Sequence, residues 1–195
     1  SGADARERRL KLYRRDALSL TDVLPVCADM GVEVTDERPY ELSGTAGTAW
    51  IYDFGLWANT GEVWVEPGSE DEVAALFEEA FAAVWTRVAE SDTLNSLVLT
   101  AGLTWRQVVI IRTFVRYLRQ TTSFSLDYLE EAFVDNPGVS SLIVELFAAR
   151  FDPDVGGGSD DDGARDDSAE AIVERIETAL DDVSSLDQDR IIRFV

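Results

Sequence analysis

The chain of 195 residues has no histidine, one cysteine, one methionine and one lysine. Without histidine it lacks the commonest general base and the commonest metal ligand. A single Cys27 rules out an internal disulfide and predicts a reducing, cytoplasmic compartment. No stretch approaches 18 consecutive apolar residues, so no transmembrane helix is expected. The first residues (SGADARERRLKLYRR) are charged and hold no apolar signal core, which argues against a secretory leader. Met30 is the only methionine, and the chain stops on Ile191, Ile192, Phe194 and Val195 without a capping Gly or Asn or a Pro. Both ends therefore read as cuts in a longer protein.

What is present is acid: 38 Asp and Glu against 17 Lys and Arg, a net charge of −21. Such a surface argues against nucleic acid or an anionic membrane as partner, because both reward a basic face. With 46% hydrophobic residues the chain still has material for a real core. Lys11 stands against sixteen Arg. That ratio fits either a GC-rich genome or a surface adapted to a salty cytoplasm. The acid is uneven, since residues 152 to 195 alone carry four cations and fourteen acids.

Leu10 and Leu12 alternate with Lys11 and Tyr13, a strand pattern over residues 9 to 14. Ser19 then reads as a helix N-cap with Asp22 near the positive helix end. Val23, Leu24, Cys27 and Met30 follow at helical spacing, and Gly31 is the stop. Pro25 is expected in the first turns, where its missing N–H costs least. Val32, Val34, Tyr40 and Leu42 suggest a second strand kinked near Pro39. WIYDFGLW, from Trp50, reads as a third strand pairing with the second as a hairpin. Ser69 and Glu72 form a capping-box pair. Val73, Leu76, Phe77, Ala80, Phe81, Val84 and Trp85 hold a 3.6 period, which predicts a helix over 69–88. Helices are further expected over 92–101, 104–120, 125–134 and 137–151. The helix from Thr104 is apolar around most of its girth and is expected to be central to a bundle. Residues 152 to 168 hold three consecutive Gly and seven Asp, which reads as an acidic linker. A last helix over 169–195 carries Ile172, Val173, Ile176, Leu180 and Val183.

The fold class that follows is α+β. A strand-helix-strand-strand-helix module over 8–66 takes its second helix from 69–88. A helical bundle region over 89–151, the linker and the last helix follow it.

Catalytic chemistry is thin. Cys27 falls on an apolar helix face, where a buried thiol acts as a small hydrophobe. Adjacent acids such as Glu78-Glu79 and Glu130-Glu131 do not share a helix face and read as solvated surface. The Asp-rich stretch lacks the order of ligands of a calcium loop, and the three glycines lack the spacing of a phosphate loop. No catalytic, cofactor or metal residue is therefore named. Arg112, Arg116 and Arg119 lie at i, i+4 and i+7, within about 60° of one another on a helix. They are either paired with acids such as Glu130 or Glu131, or form a docking face for another part of the protein.

Residues 10 to 34 resemble the start of an ACT domain, a small ferredoxin-like regulatory fold that often binds amino acids. Asp16 matches its loop Asp, while Leu20, Val23 and Leu24 match helix positions. Gly31, Val32 and Val34 match its Gly and second strand. Leu18 and Ser19 stand where the family has Pro and Gly. The resemblance implies an effector loop at Asp16, Leu18, Ser19, Leu20 and Thr21. There the helix N-terminus would favour a carboxylate.

Five blocks in order resemble the very large class of NAD-dependent glutamate dehydrogenases, in the region preceding the catalytic domain. They are SLTDVLPVCADMGVEVTDERPYEL with WIYDFGL, LVLTAGLTWRQVVIIRTFVRYLRQ, YLEEAF, NPGVSSLIVELFAARFDP and LDQDRIIRFV. That resemblance implies a parent that oxidises L-glutamate to 2-oxoglutarate and ammonium with NAD. It also implies a homo-oligomer in which this region, without a cofactor of its own, serves assembly or regulation. An amino-acid effector is the small-molecule partner it implies. The alternative is a stand-alone interaction or amino-acid-sensing module with no enzyme activity.

Overall fold

The computed structural model describes residues 7–45, 47–60, 70–153 and 162–195. They divide into two compact units, residues 1–100 and residues 101–195.

The first unit is a three-stranded antiparallel sheet with helices on one face. Its strands are β1 (Glu7–Arg14), β2 (Val32–Gly44) and β3 (Gly47–Ala58), in the order β1-β3-β2. The expected hairpin of the second and third strands is present, and β1 lies on the other side of β3. Along β3, Tyr52, Phe54, Leu56 and Ala58 are buried under the helices. They alternate with Asp53, Gly55 and Trp57 on the opposite face, as the period of two demands. Helix α1 (Leu20–Asp29) buries Val23 and Cys27, with Met30 sealed just beyond its end. Helix α2 (Glu70–Trp85) stacks Phe77, Phe81 and Trp85 at successive turns. A 3-10 turn (Thr93–Ser96) and α3 (Leu97–Thr100) close the unit. Gly31 takes φ +76° there, and a β-carbon on it would meet the Ser96 β-carbon at 3.2 Å. Glycine both permits that conformation and lets the turn approach.

Several expectations are corrected. The irregularity in β2 lies between Val34 and Asp36, not at Pro39. The bulge forms because Thr35 and Asp36 both crowd over Gly55, which has no side chain to resist them. Pro39 stays in register opposite Tyr52 because β2 is an edge strand among the described residues, with no outward partner there to feed. Pro25 is the sixth residue of α1, so its missing N–H falls in the second turn and leaves the Thr21 carbonyl without its helical donor. Leu20 and Leu24 are exposed. The stretch 92–101 is a 3-10 turn running into one short helix rather than a single helix. The Ser69–Glu72 capping pair involves a position outside the described residues.

The second unit is helical: α4 (Trp105–Thr121), α5 (Leu126–Val134), α6 (Pro137–Phe151), α7 (Asp162–Leu180) and α8 (Leu186–Ile192). Thr104 and Gln107 make a reciprocal capping box on α4. Ser125 caps α5, and Pro137 opens α6. The buried stripe of α4 is Val108, Ile111, Arg112, Val115 and Leu118. Val109 and Tyr117 are exposed, so this helix is amphipathic within its unit and not apolar all round. The expected last helix is two: α7 ends at Leu180, and Ser185 caps a new helix by accepting from the Gln188 N–H. The stretch Asp181-Asp182-Val183-Ser184 separates them. Helix α7 also begins at Asp162, inside the stretch read as linker, while the glycines fall outside the described residues. Gln188 fixes α8 to the α5–α6 corner by donating to Asp135 (2.8 Å) and accepting from Asn136 (3.2 Å).

Candidate functional site

The predicted effector loop connects β1 to α1. Its Leu18 N–H donates to the Tyr52 hydroxyl at 2.8 Å, which ties the loop to the sheet. Ser19 stands at the N-cap with extended backbone, but its side chain does not cap the helix. Its hydroxyl lies 2.6 Å from that of Thr21 instead. The Asp22 N–H returns to the Ser19 carbonyl at 3.1 Å. Two of the groups that a carboxylate would use are thus engaged locally, the Leu18 amide and the Ser19 hydroxyl.

Beside this loop the first unit carries two clefts. One, of about 880 Å³, is walled by Arg14, Asp22, Val26, Trp85, Arg87 and Glu90. The other, of about 510 Å³, is walled by Lys11, Arg14, Arg15, Asp16, Phe81 and Trp85. Arg14 and Trp85 belong to both, and the Arg14 guanidinium lies 5.4 Å from the Trp85 ring centroid. That distance is a cation–π contact, which holds the charge over an apolar floor. Of the predicted loop residues only Asp16 lines one of these two clefts; Leu18, Ser19, Leu20 and Thr21 line neither.

Arg87 has φ +60°, the only non-glycine residue with positive φ among those described. It ends α2 in a left-handed turn closed by Arg87 N–H to Val84 and Val88 N–H to Ala83. Glycine is the usual occupant of that position, and an arginine there is strained. Strain of this kind concentrates where a side chain is wanted, and here it brings a second guanidinium to the larger cleft. In so acidic a chain, four cations around two adjoining clefts are a local reversal of sign. They suit an anion with an apolar body, while Asp22 and Glu90 supply opposite charge on the same wall. Sequence reasoning missed Arg14, Trp85 and Arg87 as a group. Their one legible sign was the Arg14-Arg15-Asp16 run where a strand hands over to a loop.

The predicted arginine face does not form one exposed patch. Arg112 is 5% exposed, whereas Arg116 and Arg119 are exposed. The position of Arg112, one residue from Ile111 on the buried stripe, carries its stem inward.

A third charged group lies on the sheet face away from the helices. Arg9 on β1 donates from Nε to Asp53 on β3 (2.7 Å) and from Nη1 and Nη2 to Asp36 on β2 (3.0 Å each). It also donates to the Asp53 carbonyl at 3.0 Å. The guanidinium thus ties all three strands. Hydrogen bonding to Arg9 holds the Asp36 carboxyl below its usual range and raises the pKa of Arg9 in turn. Cys27 is buried, and loss of solvation pushes its thiol up to about 11. Among the described residues no group of His, Cys, Asp and Glu is placed to hold a metal ion.

Comparison with known proteins gives two family matches. Residues 1–67 match a family described as the ACT3 domain of glutamate dehydrogenase. Residues 89–153 match its helical motif 3. The chain is 37% identical over 186 residues, 94% of its length, to an NAD-specific glutamate dehydrogenase of Halomonas elongata. It is 36% identical over 179 residues to one of Mycobacterium tuberculosis, and 35% identical over 187 residues to one of Pseudomonas aeruginosa. The chain spans about 11% of the length of these curated relatives.

Proposed function

The chain belongs to the NAD-specific glutamate dehydrogenase family, in the part that carries the ACT3 domain and helical motif 3, and from that premise we propose that it is a non-catalytic segment serving regulation or assembly. The enzyme it serves would oxidise L-glutamate to 2-oxoglutarate and ammonium with NAD bound elsewhere in the polypeptide. The observation that carries the reading is the paired cleft of the first unit. Strand, loop and helix end bring Arg14, Arg87 and Trp85 together beside Asp22 and Glu90. That set can hold a carboxylate, an ammonium and an apolar stem at once. Such a wall suits an amino-acid effector, and of the loop from Asp16 to Thr21 only Asp16 lines the adjoining smaller cleft.

Calorimetric titration of the chain with the amino acids tests the sensing role. One or a few should bind, and Arg14→Ala with Arg87→Ala should abolish the heat. Silence from every amino acid removes sensing and leaves assembly. Assembly is then read by light scattering, where the full-length polypeptide should form a homo-oligomer that depends on this region. A full-length polypeptide that forms no NADH from L-glutamate would overturn the parent activity.

A further inference from the structure

The second unit carries an open apolar groove of about 660 Å³. Phe147 and Phe151 line it from α6, Ile176 and Leu180 from α7, each pair at i, i+4 on one helix face. Phe114 of α4 adds to its wall. The three phenyl rings follow one another. Phe114 meets Phe147 edge-on at 6.4 Å, and Phe147 lies 4.9 Å from Phe151. The last ring, Phe151, is 67% exposed. An exposed aromatic ring beside an open apolar groove is the anatomy of an interface anchor and its pocket. The groove also has charge of both signs, from Arg150 on α6 and Glu177 on α7. Among the described residues neither takes part in an ion pair, with the other or elsewhere. The remaining cation at the groove, Arg193, is held by Asp189 at 2.8 Å. In a chain of net −21 this face is therefore locally neutral.

We propose that two copies of the chain meet on this face across a twofold axis. Phe151 of each copy enters the groove of the other, and Arg150 of each faces the partner's Glu177. A twofold contact needs a self-complementary surface, on which residue i meets j and j meets i. This face carries anchor and pocket, cation and acid, side by side. A partner of one sign would leave Arg150 or Glu177 unmatched, and a wholly apolar partner would leave both. Local neutrality also lets two acidic copies approach here, where like charges do not confront each other. The proposal deepens the assembly role and rests on that reading.

Sedimentation equilibrium of the 195-residue chain in about 0.15 M KCl tests it. A dimer should form as the concentration rises through the micromolar range. Phe151→Asp changes an exposed position and should weaken association about a hundredfold. Arg150→Glu and Glu177→Arg should each weaken it about tenfold, because each sets like charges together at both ends of the contact. An equimolar mixture of those two variants should associate as tightly as the parent chain, since every swapped charge then meets its opposite. A variant that had merely failed to fold could not be rescued in this way. A chain that stays monomeric overturns the proposal. So does association indifferent to the swaps, or a mixture no tighter than its separate parts. In the full-length polypeptide, an oligomer that requires residues 1–195 yet survives Phe151→Asp overturns this interface and leaves the assembly role standing. The two failures are thereby distinguishable.

Discussion

At Gly55 the absence of a side chain decides the shape of the sheet. A β-carbon there would run into Asp36 Oδ2 and lie 2.6 Å from Thr35 Oγ1. Both atoms are side-chain tips, so they can retreat, but Asp36 retreats only by leaving Arg9. Gly55→Ala should therefore lower stability by about 1–2 kcal/mol in a urea melt. The loss should shrink in an Asp36→Ala background, because the two changes act on one contact. An additive double mutant would show that the staple is not what the glycine protects. The same carboxylate sets an acid limit. Its pKa is depressed in the folded state, so its contribution is complete above the ordinary carboxylate pKa and is lost as pH falls through the depressed value. Thermal melts between about pH 6 and about pH 3 should fall less steeply for Asp36→Asn than for the parent chain. Cys27 has the opposite sign, since its folded thiol is held neutral up to about 11. Its modification by a thiol reagent at mildly alkaline pH should be slow until the protein is unfolded. Fast labelling of the native chain would place Cys27 outside the core.

At the scale of elements, how much could be read from the chain depended on whether the cause was local. Thr104, Ser125 and Pro137 mark helix starts by their own chemistry, and the helices begin there. Alternation found β1 and the β2–β3 hairpin. The bulge was not legible, because its cause is Gly55, twenty residues from Thr35 and opposite it only after the hairpin closes. The break between α7 and α8 was hidden for another reason. Val183 continues the apolar period of α7, so periodicity ran through a gap that Ser185 then re-caps. The clefts were the least legible feature, since Arg14 and Trp85 meet only through the fold. Two substitutions check the helix ends. Thr104→Ala should cost about 1 kcal/mol through loss of the capping box. Arg87→Gly should gain about 1 kcal/mol by relieving the left-handed turn, while Arg87→Ala should not. A denaturant series in which Arg87→Gly is no more stable than Arg87→Ala would remove strain from the account of the larger cleft.

For the molecule as a whole, charge is shared evenly although the fold is not. Residues 1–100 carry eight cations and nineteen acids, and residues 101–195 carry nine and nineteen. The acidic stretch after Phe151 thus balances the acids spread over the sheet and first helices. Neither unit escapes self-repulsion, which destabilises a compact state. Salt screens it over a Debye length of about 10 Å at 0.1 M and about 3 Å at 1 M. The exposed pairs, such as Arg175–Glu145 at 2.7 Å, lose little when screened because exposed ion pairs contribute little. Repulsion should therefore outweigh pairing, and the melting temperature should rise from about 0.02 M to about 0.3 M KCl. The course beyond that separates the two readings of the Lys-poor composition. Simple screening is nearly spent by then, so a plateau fits arginine favoured by a GC-rich genome. A continued rise through molar KCl fits an acidic surface selected to stay hydrated in salt. A melting temperature that falls from the first addition of KCl would mean that ion pairs, including the Arg9 staple, contribute more than the net charge removes.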